Sequence, residues 1–367
     1  MGSRIKPPPR GRFFAADHVL RASLLACVAT VIGLLSSATV LASPTAGNGP
    51  AARACDRAAS ARGSDGAAGT VRRPFATLSR LAAALRPGQT GCLFAGRYPG
   101  NVVIRQAGTA RRRITLRSFP SHASATIKGS IDWEPGGRYW RVTGLTIDGA
   151  GISQAAVQIH DDGIQLDHDD ITNENDGQSC ITDGNLQYGV THGVVIDRNR
   201  IHDCGSSTNA ALNHGVYVCC GYDTRVTNNY IWNTTGYGIQ LYPDADGAVV
   251  DHNVVDGSQT KSGIELGGDT YTNCHVTDDA TISNNILTDN HAYGVNIFWG
   301  CGRGGRNRAT GNCLWGNHSG GVARDVGLSS SRNVVANPRF VAPQRHDFRL
   351  RRGSPCGRMA PRGRVRP

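Results

Sequence analysis

The sequence predicts an all-β chain wound into a right-handed parallel β-helix (solenoid) with a short N-terminal capping α-helix. Three observations lead to this expectation: the composition, a recurring Asn-x-aliphatic pattern and a recurring Gly-aliphatic-x-aliphatic pattern. The chain has 367 residues, of which 47 are glycine and only 6% are aromatic. This composition suits many short strands separated by turns. Because a repeat unit contacts only its neighbours, one elongated domain can accommodate this length.

The Asn-x-aliphatic pattern marks the repeat. Eight positions, mostly asparagine, lie two residues before an aliphatic residue and recur at steps of 21 to 32 residues. They are Leu145, Asp169, Asn199, Asn229, Asn253, Asn285, Asn312 and Asn333. Stacked asparagines at a turn can hydrogen-bond from coil to coil and pair backbone groups that the turn leaves open. We therefore expect a structural asparagine column and about eight coils.

The second pattern is a strand that begins with glycine and alternates aliphatic and other residues. The clearest copies are residues 215–218, 238–241, 263–266 and 294–297. Alternation along a strand directs the aliphatic side chains inward and the middle side chain outward. The repeats are predicted to span residues 91–337.

The first 42 residues are typical of a secretion signal. A basic start precedes an apolar run from Leu24 to Leu41, and Val40-Leu41-Ala42 forms a small-residue cleavage site. An uncleaved membrane anchor is the alternative. We expect a secreted, extracellular protein that has no membrane contact once the signal is removed.

The two ends of the repeat differ from its body. Residues 43–90 contain the best helix of the mature chain, Phe75 to Leu85, which Pro87-Gly88 ends; it is a natural cap for an open sheet edge. Residues 338–367 form a basic C-terminal segment. The net charge is +11, but the basic residues concentrate in the flanks while the body is acidic. Nucleic-acid binding needs clustered cations with stacking aromatics along one face, so it is not predicted.

The chain has 11 cysteines, and ten remain after loss of Cys27 with the signal. An even number without metal-binding spacing favours disulfides in an exported chain. Matching loops on consecutive coils predict a Cys274–Cys301 bridge, and Cys55 and Cys92 flank the cap helix as a second pair. Cys356 can be tied back to Cys313 on the last coils. The partners of the four remaining cysteines stay open: Cys180, Cys204, Cys219 and Cys220.

Two stretches carry a family resemblance. GSDGAAGTVRRPFATLSRLAAALRPG with FAGRYPGNVVI, within residues 63–104, and PRFVAPQRHDFRLRRGSPC, residues 338–356, resemble the opening and ending of many exported β-helix proteins. Relatives of this architecture include the pectate lyases of polysaccharide lyase family 9, chondroitinase-B, alginate lyases and mannuronan C5-epimerases. The resemblance implies an extracellular protein that acts on acidic, uronate-containing polysaccharide with the help of Ca²⁺.

In lyases of this architecture a base removes the C5 proton of a uronate while a cation neutralises its carboxylate. The coils between residues 213 and 300 offer both groups. Asp244, Glu265 and Asp269 are candidate metal ligands on neighbouring coils about 4.8 Å apart, and Lys261 is the candidate base. A lysine can lose its proton, whereas an arginine practically cannot. Ordinary solvated turn residues are the alternative interpretation.

Aromatic and amide side chains surround these residues in the predicted register. Tyr217, Gln240 and Asn296 share the outward row of Glu265, and with Trp299 they are candidate substrate-binding residues. His214, Tyr237 and Tyr293 each precede a strand at one position and are further catalytic candidates, as acid, base or sugar platform. Packing at the coil edge is the alternative.

Asp161 and Asp162, within His160-Asp161-Asp162-Gly163, form a second candidate metal cluster. They match the start of the Asp-Asp-Gly-x-Asp calcium motif of the family 9 pectate lyases, but Gln165 replaces the last aspartate. This departure puts calcium at that position in doubt.

Three functional classes follow. The first is a Ca²⁺-dependent polysaccharide lyase, pectate lyase-like, or a C5-epimerase; the second is a non-catalytic glycan-binding or cell-surface β-helix. A glycoside hydrolase using Asp244 and Asp269 is the third. Capped ends predict a monomer.

Overall fold

The computed structural model describes residues 55–207, 212–270 and 275–363. The predicted signal, residues 1–42, lies outside them. Within the described residues the chain winds through three parallel sheets, and each coil contributes one strand to each sheet in turn. The predicted fold, an all-β right-handed parallel β-helix, is confirmed. No helix in this part of the chain is long and apolar enough to cross a membrane.

Sheet 1 has 11 strands: Arg57–Ala59, Thr90–Phe94, Ile114–Phe119, Trp140–Thr143, Gln165–Asp167, Val195–Asp197, Arg225–Thr227, Val249–Asp251, Thr281–Ser283, Asn307–Thr310 and Leu328–Ser331. Sheet 2 has ten: Gly96–Pro99, Ala125–Lys128, Thr146–Asp148, Asp170–Thr172, Arg200–Cys204, Tyr230–Thr234, Val254–Asp256, Ile286–Thr288, Cys313–Trp315 and Val334–Val335. Sheet 3 has nine: Val102–Ile104, Ile131–Trp133, Val157–Ile159, Ile181–Asp183, Val216–Val218, Ile239–Leu241, Ile264–Gly268, Tyr293–Trp299 and Gly320–Val322.

Two small strand pairs complete the described sheets. Thr191–His192 pairs in parallel with Gly221–Tyr222, and Phe340–Ala342 pairs antiparallel with Asp347–Leu350 near the C-terminus. Short 3-10 helices occupy Pro343–Arg345 and Gly357–Met359. Inward aliphatic residues from all three large sheets stack into one continuous apolar core along the solenoid.

The asparagine column comprises Asp169, Asn199, Asn229, Asn253, Asn285, Asn312 and Asn333. Each member immediately precedes a strand of sheet 2 and accepts a hydrogen bond, 2.8 to 2.9 Å long, from the backbone N–H of the equivalent residue one coil earlier. The amide nitrogens donate to backbone carbonyls, as Asn229 does to Ile196 at 2.8 Å. The predicted structural role of the column is confirmed. The first two strands of sheet 2 have no position of the Asn-x-aliphatic pattern before them. The β-helix therefore begins earlier in the chain than that pattern does.

Asp169 is the one acid in the column. Its Oδ1 accepts from the N–H of Leu145 at 2.8 Å, but its buried Oδ2 has no hydrogen-bond partner in the described structure. Burial raises the pKa of Asp169 well above its usual value. An acid whose protonated form is favoured by burial therefore stands where its neighbours have an amide.

The capping helix spans Leu78–Ala84 and is shorter than the predicted Phe75 to Leu85. Thr77 caps its N-terminus by accepting from the N–H of Arg80 at 3.1 Å. The Asp65 carboxylate accepts from the Thr77 hydroxyl at 2.8 Å and thereby holds the cap. Because Phe75 and Thr77 are in extended chain, the helix starts only after this capping pair. Its buried face includes Leu78 and Leu81.

Three disulfides join described residues. Cys55–Cys92 and Cys313–Cys356 are formed, as the sequence predicts. Cys180–Cys204 settles one pair that the sequence left open. Cys274, one half of the predicted Cys274–Cys301 bridge, lies outside the described residues. Cys219 and Cys220 are buried and unbridged.

Candidate functional site

The polar row is the outward line of Tyr217, Gln240, Glu265 and Asn296 on sheet 3. Parallel pairing aligns Tyr217 with Gln240, Gln240 with Glu265, and Glu265 with Asn296. The aliphatic residues on either side of each point into the core, as the alternation predicts. The row is therefore one polar side chain per coil on one face.

Glu265 is the centre of this row and is only 3% exposed. Its two carboxylate oxygens accept from Gln240 Nε2 at 2.9 Å and from Asn296 Nδ2 at 2.8 Å. The Tyr237 phenol is a third hydrogen-bond partner. Burial raises the pKa of Glu265, while these donors and Lys261 act in the opposite direction. A buried carboxyl with a raised pKa beside a phenol is a candidate acid–base group.

Lys261 lies at the edge of the row. Its ammonium is 5.9 Å from the centre of the Tyr237 ring, close enough for a cation–π interaction. The side chain is half-buried, and it makes no ion pair with a carboxylate of the described residues. Lys128, by contrast, is paired with Asp148 at 2.7 Å. Lys261 is thus a cation over an aromatic face, and its charge acts on the Glu265 carboxyl without forming an ion pair with it.

Tyr237 and Tyr293 lie two coils apart on the edge of sheet 3. Strand register places Tyr237, Ser262 and Tyr293 at equivalent positions of three successive coils. Burial and the Glu265 carboxylate raise the pKa of Tyr237, so its phenol stays protonated at neutral pH.

His214 occupies the same column one coil earlier but is completely buried. Its ring lies 5.0 Å from the Tyr217 ring and 5.5 Å from the Tyr237 ring, and neither of its nitrogens has a hydrogen-bond partner in the described structure. Burial and the nearby Lys261 charge lower the pKa of His214 to about 3. The ring is therefore neutral packing beneath the two tyrosines, rather than a surface that a ligand can touch.

The structure does not bring Asp244, Glu265 and Asp269 together. Asp244 accepts from the Tyr222 phenol at 2.9 Å, and Asp269 accepts from the Tyr242 phenol. The strand Ile264–Gly268 runs two residues beyond the end of Ile239–Leu241, so the two aspartates leave sheet 3 at different points. No group of three or more His, Cys, Asp or Glu side chains in the described chain could hold a metal ion. These residues do not fit a calcium site.

Asp161 and Asp162 serve the backbone instead. Asp161 Oδ2 accepts from the N–H of Gly136 at 2.6 Å on the preceding coil, and Asp162 Oδ1 accepts from the N–H of His192 at 2.9 Å on the following one. They belong to the same described set in which no metal group is found. The motif that matches the calcium sequence pattern thus ties coils together.

The aromatic surface beyond the row is provided by Phe298 more than by Trp299. Trp299 donates from its indole nitrogen to the carbonyl of Val326 at 2.9 Å and packs against the core. Phe298 is 51% exposed, and its ring centre lies 6.1 Å from that of Tyr242. Within the strand Tyr293–Trp299, Phe298 is the ring that faces outward, and Trp299 is the one that packs against the core.

Comparison with known proteins agrees with this architecture. A family model described as a right handed beta helix region matches residues 131–302. The chain carries a right-handed β-helix region. No curated protein matches it.

Several solved structures are similar in fold. Pectate lyase Pel9A superposes with a TM-score of 0.57 at 13% identity, over 82% of this chain and 90% of that one. XylC in complex with xylose has a TM-score of 0.52 at 12% identity, over 76% and 69% of the two chains. An alginate lyase from Paenibacillus sp. str. FPU-7 has a TM-score of 0.47 at 19% identity, over 71% and 97%. At these identities the likeness to Pel9A and XylC shows the fold alone.

Proposed function

We propose that the protein is an exported enzyme that acts on acidic, uronate-containing polysaccharide by β-elimination or C5 epimerisation at Glu265, Tyr237 and Lys261. The observation that carries the proposal is the position of Lys261 over the Tyr237 ring, beside a phenol and a buried carboxyl whose pKa values are both raised. The structural likeness to a pectate lyase supports the same substrate class, and three disulfides suit an oxidising compartment.

Each group has a role in the proposed reaction. Lys261 gives up its own proton to solvent and then takes the C5 proton, and the protonated Tyr237 phenol donates to the departing oxygen or to the opposite face of C5. Glu265 holds the Tyr237 hydroxyl by its hydrogen bond, and Gln240 and Asn296 keep that carboxylate in place. Tyr293, Tyr217 and Phe298 supply rings against which sugar faces can pack. His214 supports the tyrosines from below.

The calcium requirement that the family resemblance implies is part of the test, since no ligand set for a cation is found among the described residues. Full-length protein is incubated with polygalacturonate, alginate and chondroitin, with and without Ca²⁺. Ultraviolet absorbance detects the unsaturated product of elimination, and exchange of the C5 proton in D₂O detects epimerisation. We expect one of these signals on at least one polymer.

The second candidate is a non-catalytic glycan-binding β-helix. It is favoured by one observation: Glu265, Asp244 and Asp269 each have an internal hydrogen-bond partner, as in a structural array. Silence in both chemical assays on all three polymers, together with retarded migration of the protein in gels containing polymer, would replace the enzyme proposal with this one. A hydrolase using Asp244 and Asp269 would instead release reducing ends without absorbance.

A further inference from the structure

Cys219 and Cys220 form a pair of adjacent thiols at the end of the strand Val216–Val218. Both side chains are buried, with 6% and 4% of their surface exposed. Their sulfur atoms are only 3.3 Å apart. The six other cysteines in Cys55–Cys92, Cys180–Cys204 and Cys313–Cys356 are already bridged. The pair is thus a dithiol beside three oxidised pairs among the described residues.

We infer that Cys219 and Cys220 are a thiol–disulfide exchange site, at which an external disulfide converts the two thiols reversibly into a vicinal disulfide. The inference concerns the chemistry of the pair and does not depend on the enzymatic function proposed above. The reactant is any small-molecule or protein disulfide of the compartment that contains the protein. The pair requires only that this reactant be a disulfide.

The geometry predicts a bond that forms but is easily reduced. A disulfide needs its sulfurs about 2.0 Å apart, so the two must approach by roughly 1.3 Å. Consecutive Cα atoms across a trans peptide are about 3.8 Å apart, below the usual span of about 4.4 to 6.8 Å for bridged cysteines. A bridge under this constraint is strained, and strained disulfides have more oxidising potentials and are the labile ones. Cys180–Cys204, with a Cα–Cα distance of 5.4 Å, has no such constraint.

The surroundings favour Cys219 as the attacking sulfur. A hydrogen bond from the Cys220 thiol lowers the pKa of Cys219, with a smaller opposing effect of burial. The same interaction raises the pKa of Cys220, and burial adds to this. The thiolate is the nucleophile in exchange, so Cys219 reacts first and Cys220 resolves.

The exchange balances in two steps. The Cys219 thiolate attacks one sulfur of the external disulfide, whose S–S bond breaks, giving a mixed disulfide and one released thiolate. Cys220 then loses its proton to solvent and attacks the Cys219 sulfur, expelling the second thiolate. The two cysteine sulfurs are oxidised, and the external disulfide is reduced to two thiols.

The pair lies beside groups of the candidate site. The Tyr217 phenol interacts with the Cys219 thiol, and the Cys219 carbonyl accepts from the N–H of Asp244 at 3.2 Å. The Leu186 backbone contacts the Cys219 sulfur, and Leu186 itself is 55% exposed on a surface turn. A turn with little apolar burial opens more readily than the core, which gives a disulfide reagent its access.

The experiment equilibrates full-length protein with reduced and oxidised glutathione at a series of ratios, quenches with acid and labels free thiols with N-ethylmaleimide after denaturation. Peptide mass spectrometry then reads the 219–220 peptide. We expect two labels at the reducing end and, at the oxidising end, an unlabelled peptide lighter by two hydrogen atoms. Cys180–Cys204 in the same digest should stay bridged over ratios that reduce the 219–220 pair.

Cys220→Ser is the matched variant. Without its resolving thiol, Cys219 should accumulate a glutathione adduct that the unmodified protein does not retain. Two maleimide labels at every ratio in the unmodified protein would overturn the inference, as would a disulfide from either residue to any other cysteine. Equal adduct levels in both proteins would do the same. The unmodified protein decides the matter by itself if the variant does not fold.

Discussion

The asparagine column of sheet 2 and the polar row of sheet 3 are both stacks of polar side chains repeated once per coil. In the column the amides donate and accept within the stack, and all members except the last, Asn333, are buried. In the row a phenol, two amides and a carboxylate replace this uniform set, and the Tyr237 phenol and Lys261 lie beside that carboxylate. The same solenoid geometry therefore produces a saturated structural ladder on one face and a titratable, incompletely paired cluster on another. The difference lies in which hydrogen-bonding groups are left for a ligand.

The largest expected effect is on the proposed reaction beside the polar row. Replacing Lys261 with alanine should lower activity by about 10²- to 10⁴-fold, the range that a positioned acid or base contributes. Initial rates of absorbance increase on the responsive polymer measure this. Lys128→Ala is the control, because Lys128 is paired with Asp148 on another sheet and should leave the rate unchanged. Full activity in Lys261→Ala would remove lysine from the mechanism.

The column should give the largest effect on stability. Asn253→Ala leaves the N–H of Asn229 and the carbonyl of Val226 without their partners, at 2.9 and 2.8 Å in the intact chain. We expect a loss of about 2–4 kcal/mol in the free energy of unfolding, read from urea denaturation, since unsatisfied buried groups cost about 1–3 kcal/mol each. Asn296→Ala, in the row, should cost about 1 kcal/mol. Equal losses would mean that the two stacks do not differ in this way.

The Tyr237 phenol, beside the polar row, should contribute less to activity than Lys261 does. Tyr237→Phe keeps the ring under Lys261 but removes the hydroxyl that bonds to Glu265. We expect a decrease in kcat of about 10- to 10²-fold with little change in KM, because proton donation is made in the transition state. Tyr230→Phe on sheet 2 is a control for loss of a half-buried phenol. An increase in KM alone would show that Tyr237 only binds the sugar.

The smallest expected effect is that of replacing Asp169, the one acid in the asparagine column. Since the folded-state pKa of Asp169 is raised, its stabilising contribution is complete below the unfolded value of about 3.9 and is lost as the pH rises through the folded value. Asp169→Asn should therefore raise the free energy of unfolding by about 1 kcal/mol at neutral pH, with a gain that disappears in acid. Thermal denaturation across pH measures it.

Asp167→Asn, two residues away, should change the free energy of unfolding in the opposite direction. Hydrogen bonds from Arg141 and neighbouring side chains outweigh burial and lower the pKa of Asp167. Its contribution is present above the unfolded pKa and is lost as the pH falls, so the amide should destabilise the protein at neutral pH. A matching sign in both variants would contradict the assignment of Asp169 as a protonated member of the column.

Much of the fold could be predicted from local patterns. The spacing of asparagine and of Gly-aliphatic strands identified the register that pairs Gln240 with Glu265 and Glu265 with Asn296. Period-2 alternation is enough for this, because a parallel solenoid repeats the same inside–outside choice on every coil. The bridges Cys55–Cys92 and Cys313–Cys356 followed from the same reasoning about neighbouring coils and ends.

The sequence predicted less well which residues lie together in the candidate site. Asp244 and Asp269 have the same sequence offset from their strands, yet two extra paired residues in Ile264–Gly268 separate them. Strand length depends on whether the next coil continues to pair, as Phe298 and Trp299 do with Gly267 and Gly268. No pattern within one coil contains that information.

The sequence by itself determined the fold class, the asparagine column and the identity of the outward row, because these depend on repetition along the chain. Only the tertiary structure decided what those residues do. It buried His214, gave each candidate metal carboxylate a separate partner and placed Lys261 over the Tyr237 ring. Burial and pairing depend on side chains from other coils, and these set the pKa and the free hydrogen-bonding capacity of every group at the site.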